Sequence, residues 1–497
     1  MKFHFQTTFQ PTADSSIIVP VLQENGKAKA ATIVQLASIS GQNADQLHEL
    51  FQAKPGEFFP LLSPQGTYLL LGLGAEPSFW KVFKACQKIA AKQAALFAAQ
   101  TGICWLCDNK HTEAVRLTEA MINGFLLGAY HQGRFKTKQP NTHALLKPES
   151  SCTICISELQ LEAAKQAVNK AEVICQAQVE IMTLVNAPAN HKHPHDIAKW
   201  AAESAKKYGF RAEVWDKERI TKEGMHGLLA VNQGSAEPPA FIILEYQGQA
   251  TNGHLPKIGL VGKGVTFDTG GLSIKPSGNM HYMKSDMGGA AAVLGTMEVA
   301  ARMKLPIHLV GVVPSTDNSV DANAVKPSDV ISSYSGKTIE IIDTDAEGRL
   351  ILADGLSYMV RQHQPQVLID LATLTGSSVR ALGYEAAALF SNDDQLAHHL
   401  EMAGQKTGER VWRLPLWEEY GDQMKSDVAD IKNFSGLPIA GAISAAKFLE
   451  FFTDEHPSWA HLDIAGVAFG DVPYSGGKAA TGYGIRLLIE FMEGLKV

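Results

Sequence analysis

From residue 257 onward, short apolar runs alternate with longer amphipathic ones, and no other feature limits the fold of this chain as much. The runs at 257–261, 307–313, 338–342, 366–374 and 460–468 have the length and composition of strands. The segments 286–303, 346–361, 440–452 and 484–494 carry apolar residues at helical spacing. Strands separated by helices pair in parallel, because a crossover helix returns the chain to the same end of the sheet. The expected fold class is therefore α/β, with a doubly wound, mainly parallel sheet forming a catalytic domain. Ligands in such sheets bind beyond the carboxyl ends of the strands. Chemistry is thus expected in the segments that follow each strand.

The chain ahead of this region reads as a separate, small α/β unit. Residues 67–72 (TYLLLG) have strand character, and 79–98 place Phe79, Val82, Phe83, Cys86, Ile89 and Ala90 on one helical face. A second amphipathic helix is expected at 112–130. A long one at 158–185 stops at Asn186-Ala187-Pro188. These readings divide the chain into an N-terminal α/β domain with its connecting helix, 1–175, and a catalytic domain, 176–497. With 497 residues, two such domains can each bury a full core. The net charge is −7, so nucleic acid is not expected as the main partner, since phosphate neutralisation needs a basic face. No run of about 18 apolar residues is present, so no membrane partner is expected. The opening MKFHFQTTFQPTADSS lacks the apolar stretch of a secretory signal. Six cysteines in so long a chain do not make a disulfide framework, and none follows Cys175. A reducing, cytoplasmic location fits best.

Three motifs invite chemistry that their context does not support. Cys104/Cys107 and Cys152/Cys155 have zinc-like spacing, but both sit in strand-like runs where residues three apart face opposite ways. They read better as small buried hydrophobes. His191-Lys192-His193-Pro194-His195 resembles a metal tract, yet Pro194 suits the start of a helix at 196–208, so a solvated loop is expected. Gly262-Lys263-Gly264 follows a strand but matches neither the Walker nor the dinucleotide pattern.

What remains is a set of acids near strand ends. Asp268 lies past the 257–261 strand, and Asp345 and Glu347 lie past the 338–342 strand. If both strands are parallel members of one sheet, these carboxylates share a rim. Positions 345, 347 and 349 share a face where the chain is extended. Asp286 precedes Gly288-Gly289-Ala290-Ala291-Ala292, a helix start with little bulk, so Asp286 is expected to be buried. Surface acids or helix caps are the bland alternative. Buried carboxylates, however, need counter-charge. Asp268, Asp286, Asp345 and Glu347 total −4, which two divalent cations would balance. An oxygen-rich site without histidine suits Mg or Mn, and Zn remains open with carboxylates and an amine. Lys263, Lys275 and Arg349 lie in the same segments.

At these residues a resemblance becomes specific. Asp343-Thr344-Asp345-Ala346-Glu347-Gly348-Arg349-Leu350 closely resembles the N-T-D-A-E-G-R-L signature of the leucyl aminopeptidase (cytosol aminopeptidase) family. GKGVTFDTGGLSIK (262–275) and MKSDMGGA (283–290) resemble that family's other metal segments. LVNAPAN, LATLTG, VWRLPL and WAHLDIAG match further family segments in order. The resemblance implies a metal-dependent exopeptidase that removes the N-terminal residue, Leu-like or otherwise apolar, from peptides with a free N-terminus. It implies two divalent ions per subunit, Zn or Mn with Mg or Co as alternatives. One would be held by Lys263, Asp268, Asp286 and Glu347, the other by Asp268, Asp345 and Glu347. Lys275 would contact the substrate carbonyl, and Arg349 would hold a bicarbonate that acts as general base. Met283, Thr373 and Ala468 would line the pocket for the first side chain, with Leu374 and Gly376 aligning the peptide backbone. A homohexamer is also implied. Departures from the family pattern are Asp343 for Asn, Thr269 for Ser, His281 where an acid is common and Ala468 where some relatives carry Met. A two-metal phosphohydrolase, or a DNA-binding or scaffold role on the same fold, are the alternative functions.

Overall fold

The structure, a computed structural model, describes residues 1–8, 11–107, 111–138, 141–250 and 255–495. The chain divides into two compact units, Met1–Val179 with Pro473–Gly476, and Glu180–Val472 with Gly477–Val497. The division falls within one 26-residue helix, Leu161–Asn186. Among the described residues, no helix is long and apolar enough to cross a membrane.

The first unit is built on a seven-stranded sheet. Its main path runs Lys2–Gln6, Ser151–Cys155, Gln100–Cys104, Ser15–Glu24, Gly66–Gly74 and Phe58–Ser63. The first five strands are parallel, and Phe58–Ser63 closes an antiparallel hairpin. Helix Phe79–Lys92 starts at Ser78, whose hydroxyl accepts from Lys81 N, and it buries the six apolar residues that its spacing singled out. It stops short of residue 98, giving way to the short 3-10 turn Ala94–Leu96. Cys104 and Cys155 are register partners on adjacent strands, and both are buried, as is Cys152. Cys107 departs from the buried reading. It is exposed beyond the end of its strand, with its Sγ 3.0 Å from Gln35 Oε1.

The second unit carries a nine-stranded sheet. Its path is Val411–Arg413, Ala387–Ser391, Trp459–Asp463, Val367–Ala372, Lys257–Gly262, His308–Asn318, Ala240–Gln247 and Arg211–Trp215. Gly264–Asp268 extends along His308–Asn318. The four central strands are parallel and buried on both faces, which is why they read as continuous apolar runs rather than alternating ones. Ala240–Gln247 and Ala387–Ser391 join antiparallel at either side. The Gly288–Met303 helix is buried almost all round, as its small and apolar composition requires.

Two expectations about position are corrected here. The segment 338–342 supplies only Thr338–Glu340, and this strand lies outside the main sheet. It pairs with Val330–Ser332 and Ile431–Lys432 in a separate three-stranded sheet. Pairing with a strand a few residues upstream closes a short loop, at less entropic cost than joining a distant sheet. Glu347 and Arg349 are not on extended chain either. Glu347 is the first residue of helix Glu347–Tyr358, where an acid is favoured by the helix dipole.

The 191–195 tract is a third correction. Helix Pro194–Tyr208 begins at Pro194, but Lys192 is not solvated: it is 1 % exposed. Its ammonium donates to Val185 O at 3.0 Å and also to Lys284 O, so it ties this turn to the loop ahead of Asp286. A long flexible stem lets a lysine reach buried carbonyls from a polar stretch of sequence, which the local pattern does not reveal.

Candidate metal centre

Four separate segments bring charged side chains to one point. Lys263 sits in the break between strands Lys257–Gly262 and Gly264–Asp268. It is held there by Lys263 N donating to Leu371 O and Ala290 N donating to Lys263 O. Asp268 is the last residue of its strand, and its Oδ1 accepts from Gly270 N at 2.8 Å and Asn318 Nδ2 at 2.9 Å. Asp286 closes the 3-10 turn Met280–Ser285 ahead of the long buried helix. Glu347 opens the Glu347–Tyr358 helix. The next residue, Gly348, leaves the space that Lys263 fills: a Cβ there would stand 2.6 Å from Lys263 Cε.

The result is a buried acidic cluster around an amine. Asp268, Asp286 and Glu347 each offer an oxygen, all within 4.8 Å of one another, and no other such group of His, Cys, Asp or Glu occurs among the described residues. Lys263 Nζ lies 2.8 Å from Asp286 Oδ2 and 2.8 Å from Glu347 Oε1, and donates to Thr373 O at 3.0 Å. Lys275 Nζ lies 2.8 Å from Asp268 Oδ2 and also against Asp345 Oδ1. Asp286 Oδ2, Glu347 Oε1 and Asp345 Oδ1 are buried atoms whose near partners are these lysine ammoniums. Buried carboxylate oxygens gathered around a lysine amine are a donor set that fits hard or borderline divalent ions.

The electrostatics follow from burial in a crowd of like charges. Burial pushes the Asp286 carboxyl well above the usual range, against the pull of Lys263. Burial likewise raises Asp345 to about 7, helped by Asp268 and opposed by Lys275. Burial works against the charge on Lys263, but Asp286, Glu347 and Asp268 outweigh it and hold the ammonium above its ordinary pKa. The same balance raises Lys275, through Asp268, Glu347 and Asp345. Arg349 is pulled down to about 10 by its burial. Its Nη1 donates to Asn433 O at 2.8 Å, and its Nε is buried without a partner.

These residues face a cavity of about 780 Å³. Lys263, Asp268, Lys275, Met283, Asp286, Asp345, Glu347, Arg349, Thr373, Leu374 and Gly376 all line it. Thr373 Oγ1 donates to Asp286 Oδ1 at 2.8 Å. Ala468 is buried beside Thr373: a Cβ on Gly288 would stand 3.0 Å from Ala468 Cβ and 3.1 Å from Thr373 Cγ2, and the neighbouring Ala465 and Phe469 line the cavity.

Sequence reasoning missed the residues that hold this arrangement in place. Asn318 Nδ2 bridges Asp268 Oδ1 and Thr344 O. Asn433 joins the 342–346 turn: its Oδ1 accepts from Ile342 N and its Nδ2 donates to Asp343 O. Asp463 accepts from Leu374 N, Thr375 Oγ1 and Ala465 N, fixing the chain past the Val367–Ala372 strand. Only the last had a signal, as the acid within the WAHLDIAG segment. Asp343, where the family pattern has Asn, accepts from Asp345 N through Oδ1 at 2.9 Å.

Comparison with known proteins shows the family of the chain and its fold. Residues 181–489 match the model of the cytosol aminopeptidase family, catalytic domain. A probable cytosol aminopeptidase of Chlorobium luteolum is 43 % identical over 513 aligned positions, covering 96 % of each chain. One from Chlorobaculum parvum is 49 % identical over 378 positions, covering 74 % of this chain and 73 % of that one. Among solved structures, a tomato leucine aminopeptidase mutant superposes with a TM-score of 0.86 at 32 % identity, covering 99 % of this chain and 96 % of the other. The bottromycin maturation enzyme BotP in complex with Mn gives 0.82 at 32 % identity, covering 97 % and 99 %.

Proposed function

Because this chain belongs to the cytosol aminopeptidase family, and is therefore a metal-dependent aminopeptidase, we propose that the buried acidic cluster is its catalytic centre. The observation that carries this reading is the convergence of Asp268, Asp286 and Glu347 on Lys263, with buried carboxylate oxygens gathered around the amine. Lys263, Asp268, Asp286 and Glu347 would hold one divalent ion, and Asp268, Asp345 and Glu347 the other. When bound, such a pair polarises a carbonyl and supplies a water nucleophile at neutral pH. Zn or Mn is favoured over Mg or Co, and the Mn-bound BotP structure supports Mn as a probe.

The chain's own groups would do the rest. Asp286 faces the cavity and can accept from a free α-amino group, which restricts cleavage to the first residue. Thr373 holds that carboxylate from behind. Lys275 Nζ is a charged donor placed to stabilise negative charge developing on the substrate carbonyl oxygen. Arg349, which lines the cavity and whose Nε is buried without a partner, would be the site for bicarbonate as proton acceptor. Met283 and Thr373 bound the space for the first side chain, and Leu374 and Gly376 run beside the peptide backbone. Ala468, packed beside Thr373 at Gly288, would help to bound the same space. A cytoplasmic location rests on the names of the relatives, and a homohexamer on the family resemblance; light scattering would show six copies of the 53.7 kDa chain.

The test is hydrolysis of a panel of amino-acid anilides after EDTA treatment and reconstitution with Mn, Zn, Co or Mg. Leucine anilide should be cleaved only by reconstituted protein. The Glu347→Ala variant should lose at least about a hundredfold in kcat/KM, because a shared ligand is gone. Activity that survives prolonged chelation, or near-wild-type turnover by that variant, would sink the two-metal reading.

A further inference from the structure

The cavity contains one cation that the acidic cluster does not claim. Lys263 and Lys275 each lie against two carboxylates, and Arg349 is anchored on Asn433. Arg380 also lines the cavity, from the far end of helix Gly376–Leu382. Its Nη2 donates to Ser377 Oγ at 3.0 Å, and no carboxylate among the described residues pairs with it. The Ser377 hydroxyl is itself confined, since a Cβ on Gly441 would stand 2.6 Å from it. Arg380 is thus an exposed side chain on the cavity wall, steadied by one hydrogen bond, and most of its five N–H donors have no partner among the described residues.

Its place along the substrate path is also fixed. Thr373 is bonded to Asp286, and three residues on, a Cβ built at Gly376 comes within 3.5 Å of Arg380 Nη1. Three residues of extended chain span about 10 Å. A peptide with its amino group at Asp286, running beside 373–376, brings its second or third residue within reach of the guanidinium. A planar fork of donors with no acid of its own matches a carboxylate, which it can bind through two parallel hydrogen bonds.

We infer that Arg380 is a specificity residue that recognises a substrate carboxylate just beyond the scissile bond. This rests on the aminopeptidase reading of the site. The carboxylate is either the chain terminus of a dipeptide or the side chain of an acidic second residue, and both present the same group.

The experiment uses full-length protein reconstituted with Mn²⁺ and two matched substrate pairs. Leu-Gly against Leu-Gly amide reads the terminal carboxylate, and Leu-Asp amide against Leu-Asn amide reads the side chain. In the wild type, at least one pair should favour the carboxylate member by about five- to tenfold in kcat/KM, carried by KM. Arg380→Gln should collapse that preference, and Arg380→Lys should keep part of it by charge alone. The preference should also shrink as salt is raised. Ratios that are the same in Arg380→Gln as in the wild type, or a change carried by kcat with KM unmoved, would overturn the inference. Wild-type cleavage of leucine anilide is measured alongside. If that fails, the aminopeptidase reading fails; if it succeeds while the ratios stay put, only the role of Arg380 falls.

Discussion

At the scale of single residues, the centre depends on groups that never face the cavity. Asn318 is the sharpest case, because one amide nitrogen serves Asp268 and the Thr344 carbonyl together. Asn318→Ala should weaken Mn²⁺ binding about ten- to a hundredfold, since outer partners orient ligands. It should also cost about 1–3 kcal/mol in stability from a carbonyl left unpaired in the interior. Calorimetric titration with Mn²⁺ and thermal unfolding check the two parts separately, and wild-type metal affinity would refute the positioning role. The acids proposed as ligands were legible in the sequence because their type and spacing suit that chemistry, and the structure brings Asp268, Asp286 and Glu347 together. Asn318 was not, because it lies on a neighbouring strand fifty residues from Asp268 and nothing in its local pattern marks it. The buried Lys192 went unread for the same reason: its partners Val185 and Lys284 belong to other segments.

At the scale of elements, the period of apolar residues told strand from helix but not which strand joins which sheet. The run at 338–342 shows the difference. It does form a strand, yet it pairs with its near neighbour Val330–Ser332 and leaves Asp345 and Glu347 to be delivered by a turn and a helix start. What joins the helix at Gly288 to the sheet is close backbone approach. A Cβ on Gly289 would stand 1.9 Å from Leu371 O and 2.8 Å from Lys263 N, so a side chain there would push the helix off the Val367–Ala372 strand and off the segment that carries Lys263. Gly289→Ala should therefore destabilise by at least about 1–3 kcal/mol and impair Mn²⁺ binding. Gly470→Ala, where nothing lies within 4 Å of a new Cβ, is the matched control. Thermal melts of the two variants side by side give the answer; equal melting temperatures would mean the close approach is not needed.

At the scale of the whole molecule, the proposed metal centre couples ion binding to folding of the second unit. The proposed ligands come from three stretches of the chain, 263–268, 286 and 345–347, so ions that bind only the folded arrangement would stabilise all of it. At a hundredfold excess over Kd, a bound ion contributes about 2.7 kcal/mol. Mn²⁺ should raise the melting temperature of chelator-treated protein by a few degrees, and the rise should be lost in Glu347→Ala; an equal rise in both would show that the ions stabilise from elsewhere. The amino-acid sequence by itself determined the fold class and the family, and it singled out the acids and lysines proposed to carry the reaction, because side-chain type, period and motif are local properties. Only the tertiary structure decided which sheet each strand enters, that Lys263 is packed through the space left by Gly348, and that Arg380 lines the cavity with no carboxylate among the described residues paired to it. Each of these depends on segments tens to hundreds of residues apart being brought into contact, and the free energy of that closure is shared across the whole core rather than written in any one stretch.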